Sequence, residues 1–343
     1  MALGGAAIPV IEVTTVSDDE AVLHDGVRVV RAGDLAPDTV YTVEGVELRT
    51  LPRPPGQRLA TVATVNDVHF GETVCGVMHG VELGPALTAE PGEPPYPETM
   101  NRAAATEMAS CHPDAVVAKG DLTAHGTDGQ LRAFLDCYGS VFGDRLWYVK
   151  GNHDVLNGET FSAPATVEVA LPGVTLAALD TSVPGSAAGA LSADQLEWLD
   201  ELAARSDTPV LVFGHHHCDL GPPSAGIARA DSERLVEVAA RRPTIAGYFA
   251  GHTHRNRVQR FAATGDVPWV EVSATKDFPG AWAEYRVFEG GILQVLHRIS
   301  APDALAWSER TRAMFGGLYP AYSFGQLDER CFAIWPRAAK AAA

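Results

Sequence analysis

Five short apolar runs in the middle of the chain each end directly in a polar cluster, with helix-length stretches between most of them. The runs at 60–65, 115–120, 146–151, 209–214 and 245–251 pass straight into Asn66-Asp67-Val68-His69, Gly120-Asp121, Gly151-Asn152-His153-Asp154, Gly214-His215-His216-His217 and Gly251-His252-Thr253-His254. Apolar runs this short and continuous read as strands buried on both faces. The amphipathic stretches 99–110, 128–139, 192–205 and 231–241 read as helices, and Ser192 with Gln195 three residues on resembles a capping box. Such alternation predicts an α/β layered domain. The later runs 268–274, 283–289 and 292–298 have no helices between them and predict a β meander closing a second sheet.

Flanking segments have a different texture. Val- and Thr-rich runs at 8–16, 28–33, 39–45 and 46–51, with turn residues at Asp25-Gly26 and Pro37-Asp38, predict a small all-β module. The Pro-rich stretch 51–57 reads as a stiff linker. The expected organisation is therefore a β module and linker over 1–57, a main domain over 58–300, and a C-terminal helix and tail over 301–343. The tail carries Phe315, Tyr319, Tyr322 and Phe324, read as packing on the body, with a lid over a site as the sharper alternative.

With 343 residues the chain can bury a large core. Its 26 Lys and Arg against 43 Asp and Glu give a net charge of −17, which argues against binding a long polyanion and hence against a nuclease. Any anionic substrate must be drawn in by a local positive centre. Five cysteines (Cys75, Cys111, Cys137, Cys218, Cys331) without C-x-x-C spacing are expected to be reduced thiols. The first thirteen residues lack the charge and apolar run of a signal peptide, and no run of about 18 apolar residues could span a membrane. The expectation is a cytoplasmic protein with no membrane partner.

Carboxylate, imidazole and amide groups are ligands for divalent ions, and open α/β sheets place working groups at the carboxyl ends of strands. In Asp67-x-His69 and His252-x-His254 the two side chains can converge from a strand end on one ion. A preceding glycine, present in four clusters, lets the backbone turn the ligand inward. Seven converging ligands exceed what one ion that keeps a water can use. They suit two ions sharing a carboxylate.

In this order the five clusters match the signature of the calcineurin-like metallophosphoesterase superfamily over residues 61–254, and the chain resembles most its class III cyclic nucleotide phosphodiesterases and bacterial glycerophosphodiesterases. The resemblance implies a two-sheet β-sandwich flanked by helices. It also implies Asp67, His69, Asp121 and His254 around a first ion, with Asp121 bridging to a second held by Asn152, His215 and His252. His153 would face the substrate phosphate and assist the leaving group. The ions, Mn, Fe, Zn or Co by ligand type, would activate a bridging hydroxide for in-line attack. Residues 35–41, ending in Tyr41, resemble the tyrosine-bearing turn of fibronectin type III modules.

Two departures bear on the substrate. Ala124 with His125 stands where many relatives carry a carboxylate or amide, and His216-His217-Cys218 replaces His-Pro-Pro. Ala124 also stands where purple acid phosphatases carry a ligand tyrosine, which disfavours that branch. His125, His216 and His217 read as ordinary polar or supporting residues and Cys218 as packing, while His79 and His112 receive no role. Two divalent ions with Asp67, Asp121 and hydroxide leave about one net positive charge, which suits a monoanionic diester at least as well as a dianionic monoester. The leading expectation is a phosphodiesterase acting on a small ester, a cyclic nucleotide or a glycerophosphodiester. The alternatives are a phosphomonoesterase or nucleotidase, for which Arg255 and Arg257 are the cationic candidates, and an inactive binding scaffold. A homo-oligomer, through the N-terminal module, remains open.

Overall fold

The computed structural model describes residues 11–78, 81–158, 161–222 and 224–337. The first ten residues, on which the absence of a signal peptide was read, His79 and the low-complexity tail 338–343 lie outside them. Five strands make the N-terminal module: β1 (Glu12–Val16), β2 (Ala21–Asp25), β3 (Arg28–Ala32), β4 (Val40–Val43) and β5 (Val46–Arg49). The first three form one antiparallel sheet and the last two a hairpin. β2 was not expected, since His24 and Asp25 interrupt its apolar pattern. The Tyr41 hydroxyl accepts a 2.8 Å hydrogen bond from the Ala36 amide within the 35–41 turn.

The main body contains two six-stranded sheets. One has the order β10-β9-β6-β17-β18-β19, from β6 (Arg58–Val65), β9 (Ala115–Lys119), β10 (Leu146–Val149), β17 (Ala281–Phe288), β18 (Gly291–Arg298) and β19 (Phe332–Ile334). The other has the order β11-β12-β13-β14-β16-β15, from β11 (Thr166–Leu171), β12 (Val174–Leu179), β13 (Val210–Phe213), β14 (Ile245–Ala250), β15 (Arg257–Gln259) and β16 (Trp269–Glu271). A hairpin of β7 (Cys75–Met78) and β8 (Val81–Leu87) stands apart from both. β6, β9 and β10 run parallel in the first sheet, as do β12, β13, β14 and β16 in the second. The expected α/β two-sheet sandwich with flanking helices is what the chain forms.

Alternation along each strand builds three apolar layers. Val62, Val117, Leu211, Phe213 and Tyr285 point between the sheets. Their neighbours Ala63, Val116 and Ala118 pack on helix Tyr96–Ser110 through Met100, Ala104 and Met108. Val210 and Val212 pack on helices Ala193–Arg205 and Arg229–Arg241 through Leu199, Leu202 and Leu235. This is why the five runs are predominantly apolar instead of alternating, with Thr61, Thr64, Lys119 and Lys150 as their polar members. The capping box at Ser192 is formed, with Gln195 N donating to Ser192 Oγ at 3.1 Å and Ser192 N to Gln195 Oε1 at 3.0 Å.

Two sequence expectations need correction. The segment 128–139 is an α-helix only over Asp128–Phe134 and continues as a π-turn over Leu135–Gly139. The three late runs do not form one meander in the second sheet. β16 joins the second sheet parallel to β14, whereas β17 and β18 complete the first, with β17 antiparallel to β6. Helix Pro302–Thr311 and the segment beyond it return to the first sheet, where β19 pairs with β18.

Candidate metal centre

The carboxyl ends of β6, β9 and β10 lie side by side in one sheet, and those of β13 and β14 in the other, so all five polar clusters meet where the two edges face each other. Backbone hydrogen bonds fix the meeting. Val68 N and His69 N both donate to Asp121 O at 3.0 Å, Gly251 N donates to His215 O at 3.0 Å, and His252 N donates to the Asp67 carboxylate at 3.0 Å. Five of the residues concerned, Asp67, His69, Asp121, His252 and His254, have φ between 46° and 70°. Non-glycine residues rarely occupy this left-handed region, and such conformations persist only where surrounding structure imposes them, commonly at functional sites.

All seven expected metal ligands come together. Asp121 Oδ2 lies 3.4 Å from His69 Nε2 and also 3.4 Å from His215 Nε2, and His254 Nε2 lies 3.4 Å from Asp67 Oδ1. Asn152 Oδ1 is 3.1 Å from His215 Nε2 and 2.9 Å from His252 Nδ1. Bonds of about 2.0–2.2 Å to an ion set adjacent donor atoms roughly 3.0–3.4 Å apart. These spacings therefore fit a coordination shell, and Asp67, His69 and His254 form one group of donors, Asp67, Asp121 and His215 another. His69 Nε2 gives the sharpest test of fit, because it is buried, aimed into the cluster and without a hydrogen-bond partner. A buried imidazole nitrogen in that state is costly unless something such as an ion occupies its lone pair.

Electrostatics point the same way. Burial works against ionising Asp121, yet His215 and His153 hold its carboxyl well below the usual range. Against burial too, Asp121 raises His215 to about 9, and Asp67 with Asp277 raises His254 to about 10. Burial and the neighbouring Lys276 push His69 down to about 4, and burial with His215 pushes His252 down to about 3. Two carboxylates thus share protons unevenly among four imidazoles, an arrangement in which cations replace protons on binding.

Around this cluster, His153 donates its backbone N–H to Asp121 Oδ1 at 2.8 Å and turns Nδ1 toward Ala124 O at 3.1 Å, with its ring 4.5 Å from that of His69. Asp154, the last residue of the Gly-Asn-His-Asp cluster, accepts from Leu122 N, Thr123 N, Thr123 Oγ1 and Gly151 N at 2.6–3.1 Å. It staples the Asp121 loop to the Asn152 loop, and burial with the Asp121 charge raises it to about 6. His216 is buried beside His215 and His252, hydrogen-bonded to Thr181 Oγ1, and forms a third group of donor atoms with those two imidazoles. His217 is buried and meets Ser224 Oγ at 2.9 Å, while His125 and His112 are exposed. Cys218 sits in the apolar layer under the second sheet's helices, where burial pushes its thiol up to about 12.

Several residues in contact with the candidate ligands have no local sequence signal. Glu72, Lys276 and Asp277 surround His69 and His254, and Tyr319 from the tail reaches Asp277. Only Glu72, three residues after His69, is near a motif. Arg255 is held by Glu271 through two hydrogen bonds of 2.8 and 3.1 Å and lies over the Tyr322 ring, and Arg257 lies 3.4 Å from the same carboxylate.

The sequence model of the calcineurin-like phosphoesterases matches residues 60–256. A cAMP/cGMP dual specificity phosphodiesterase of Mycobacterium tuberculosis is 30% identical over 181 residues, 48% of this chain and 54% of that protein. A protein of Arcobacter nitrofigilis described as a probable glycerophosphodiester phosphodiesterase is 27% identical over 237 residues, 62% of this chain and 82% of that protein. The chain thus spans about half the length of the first of these relatives. Among solved structures, a dimetal phosphatase from Danio rerio superposes with a TM-score of 0.56 at 16% identity, covering 71% of this chain and 98% of that one, a likeness of fold.

Proposed function

The chain belongs to the calcineurin-like phosphoesterase family, and from that premise we propose that it is a binuclear metal-dependent phosphodiesterase acting on a small ester. The observation that carries the two-ion reading is the position of Asp121 Oδ2, equidistant at 3.4 Å from His69 Nε2 and His215 Nε2. A single carboxylate between two sets of donors suits a bridge. Asp67, His69 and His254 would complete one site with Asp121; Asn152, His215 and His252 would complete the other. Two divalent ions held there would supply concentrated positive charge and an activated water.

This chain's own residues would do the rest. His153, with Nδ1 donating to the Ala124 carbonyl, presents Nε2 as the nitrogen able to face a leaving oxygen; as the imidazolium, carrying a proton on both nitrogens, it would pass the Nε2 proton to that oxygen, a step worth about 10²–10⁴-fold. Its backbone N–H on Asp121 Oδ1 fixes the ring and the bridge in one geometry. The diester preference is supported by three features: the small net charge of the site, the relatives' own activities, and the state of the two arginines. Arg255 and Arg257 share the single carboxylate of Glu271, which offsets part of the charge they could offer to the second charge of a monoester. Cyclic nucleotides and glycerophosphodiesters are the substrate classes to screen. The net charge of −17 argues against a nucleic-acid polymer as substrate, and none of the helices among the described residues is long and apolar enough to cross a membrane.

The test is kcat/KM for bis(p-nitrophenyl) phosphate against p-nitrophenyl phosphate on metal-stripped protein reloaded with Mn²⁺. A ratio well above one is expected, and a ratio below one replaces the diesterase with a monoesterase. Asp121→Ala should abolish turnover of both; near-normal rates in that variant would overturn the bridged pair of ions.

A further inference from the structure

His69 and His254 are joined behind the cluster by an unbroken chain of charged side chains. His69 Nδ1 meets Glu72 Oε2 at 3.2 Å, and Lys276 Nζ meets Glu72 at 2.6 Å and Asp277 Oδ2 at 3.5 Å. Asp277 Oδ2 in turn meets His254 Nδ1 at 3.3 Å. Both imidazoles therefore have a carboxylate behind Nδ1, hydrogen-bonded at His254 and at ion-pair distance at His69, and point Nε2 inward, and one ammonium holds the two carboxylates together. Lys276 and Asp277 are both buried. The tail closes the arrangement: Tyr319 OH donates to Asp277 Oδ1 at 2.6 Å, Trp307 Nε1 to Lys276 O at 2.9 Å, and Phe278 N to Thr311 Oγ1 at 2.8 Å. On the opposite side His215 Nδ1 is held by a neutral group, the Lys119 carbonyl, at 2.8 Å.

From this asymmetry we propose that Glu72, Lys276, Asp277 and Tyr319 are positioning residues for the ion at His69 and His254 alone, and that the C-terminal segment is thereby a working part of the metal centre. Carboxylates behind ligating imidazoles fix the tautomer and ring orientation and raise ligand basicity, and their loss typically weakens metal binding about 10–100-fold. Lys276 keeps the two carboxylates from repelling each other and so links the aim of one ring to that of the other. The inference rests on the ion sites proposed above.

The experiment is Mn²⁺ titration calorimetry on the metal-free full chain, with the visible absorption of the Co²⁺-loaded protein as an independent report on each site. In Asp277→Asn and Lys276→Met, one of two binding events should weaken about 10–100-fold while the other holds. Tyr319→Phe, which leaves every charge in place, should weaken the same event by a few-fold and alter the same part of the Co²⁺ spectrum. Folding is read in each variant by circular dichroism, and Tyr319→Phe decides the matter if the charge variants do not fold. Folded variants with both events and the Co²⁺ spectrum unchanged would overturn the proposal, as would equal weakening of both events. If the wild-type chain takes up one ion and the variants weaken that event, the positioning role stands and the two-ion reading falls.

Discussion

A methyl group at residue 151 would lie 2.2 Å from Asp121 Oδ1 and 2.3 Å from the Asp121 amide nitrogen, so the glycine there is required by space. Gly120 differs, because it combines a φ of 88° with a position 2.6 Å from the His215 ring. From sequence all these glycines are expected to serve conformation; in the structure the left-handed backbone falls mainly on the proposed ligands themselves, and close approach falls to the glycines. Gly151→Ala should therefore push apart the Asp121 and Asn152 loops, displacing the Asp121 backbone together with its carboxylate. A misplacement of ~1 Å in such a centre costs about 10²-fold in rate. Phosphodiester kinetics on a variant with a native circular dichroism spectrum would check this, and wild-type turnover would contradict it.

At the scale of elements, the strands that bear motifs are legible because burial of most of their side chains leaves a predominantly apolar run, and helix Ala193–Arg205 because its cap is local. β11 and β12, which flank the tight Pro172-Gly173 turn, carry no motif to mark them, although at six residues each they are longer than β9, β10 and β13. β2 was missed because of His24, which is fully buried, with Nδ1 2.8 Å from Thr14 Oγ1 and Nε2 3.3 Å from Ser300 Oγ. Burial and the nearby Arg298 push its pKa down to about 3 from 6.5. An imidazole that must stay neutral to fold contributes fully above about pH 6.5, and that contribution is lost as the pH falls toward 3. Between pH 7 and pH 5 the loss amounts to about 2 kcal/mol. Urea unfolding at the two pH values should show His24→Gln to be less pH-sensitive than wild type by about that amount, and equal slopes would rule out His24 as the cause.

Across the whole molecule, legibility followed distance along the chain. Each proposed ligand is adjacent to the strand that carries it, so the cluster is legible locally. Asp277 reaches His254 from 23 residues away, and Lys276 reaches Glu72 across 204 residues, contacts that only the folded topology creates. The N-terminal module is likewise tied to the body by long-range contacts. Arg286, buried on β17, binds Asp18 and Asp19 at 2.8 and 2.7 Å and Glu284 at 3.0 Å, while Thr15 Oγ1 donates to Leu296 O and Arg330 to Val13 O. Removing one partner from a buried ionic group costs about 3–5 kcal/mol. Arg286→Met should lose stability on that scale in urea unfolding, with faster hydrogen exchange in β1–β3; a change below about 1 kcal/mol would mean the module is held chiefly by its apolar contacts.

The meeting of two strand edges has a mechanical corollary. Asp67, His69, Asp121 and Asn152 travel with one sheet, and His215, His252 and His254 follow strands of the other, so each proposed ion would be gripped from both. A slip of the sheets by a single residue, about 3.3 Å, would exceed any metal–ligand bond and empty both sites together. Once filled, the proposed centre would thus lock the register of the sandwich, tolerating no sliding of one layer past the other.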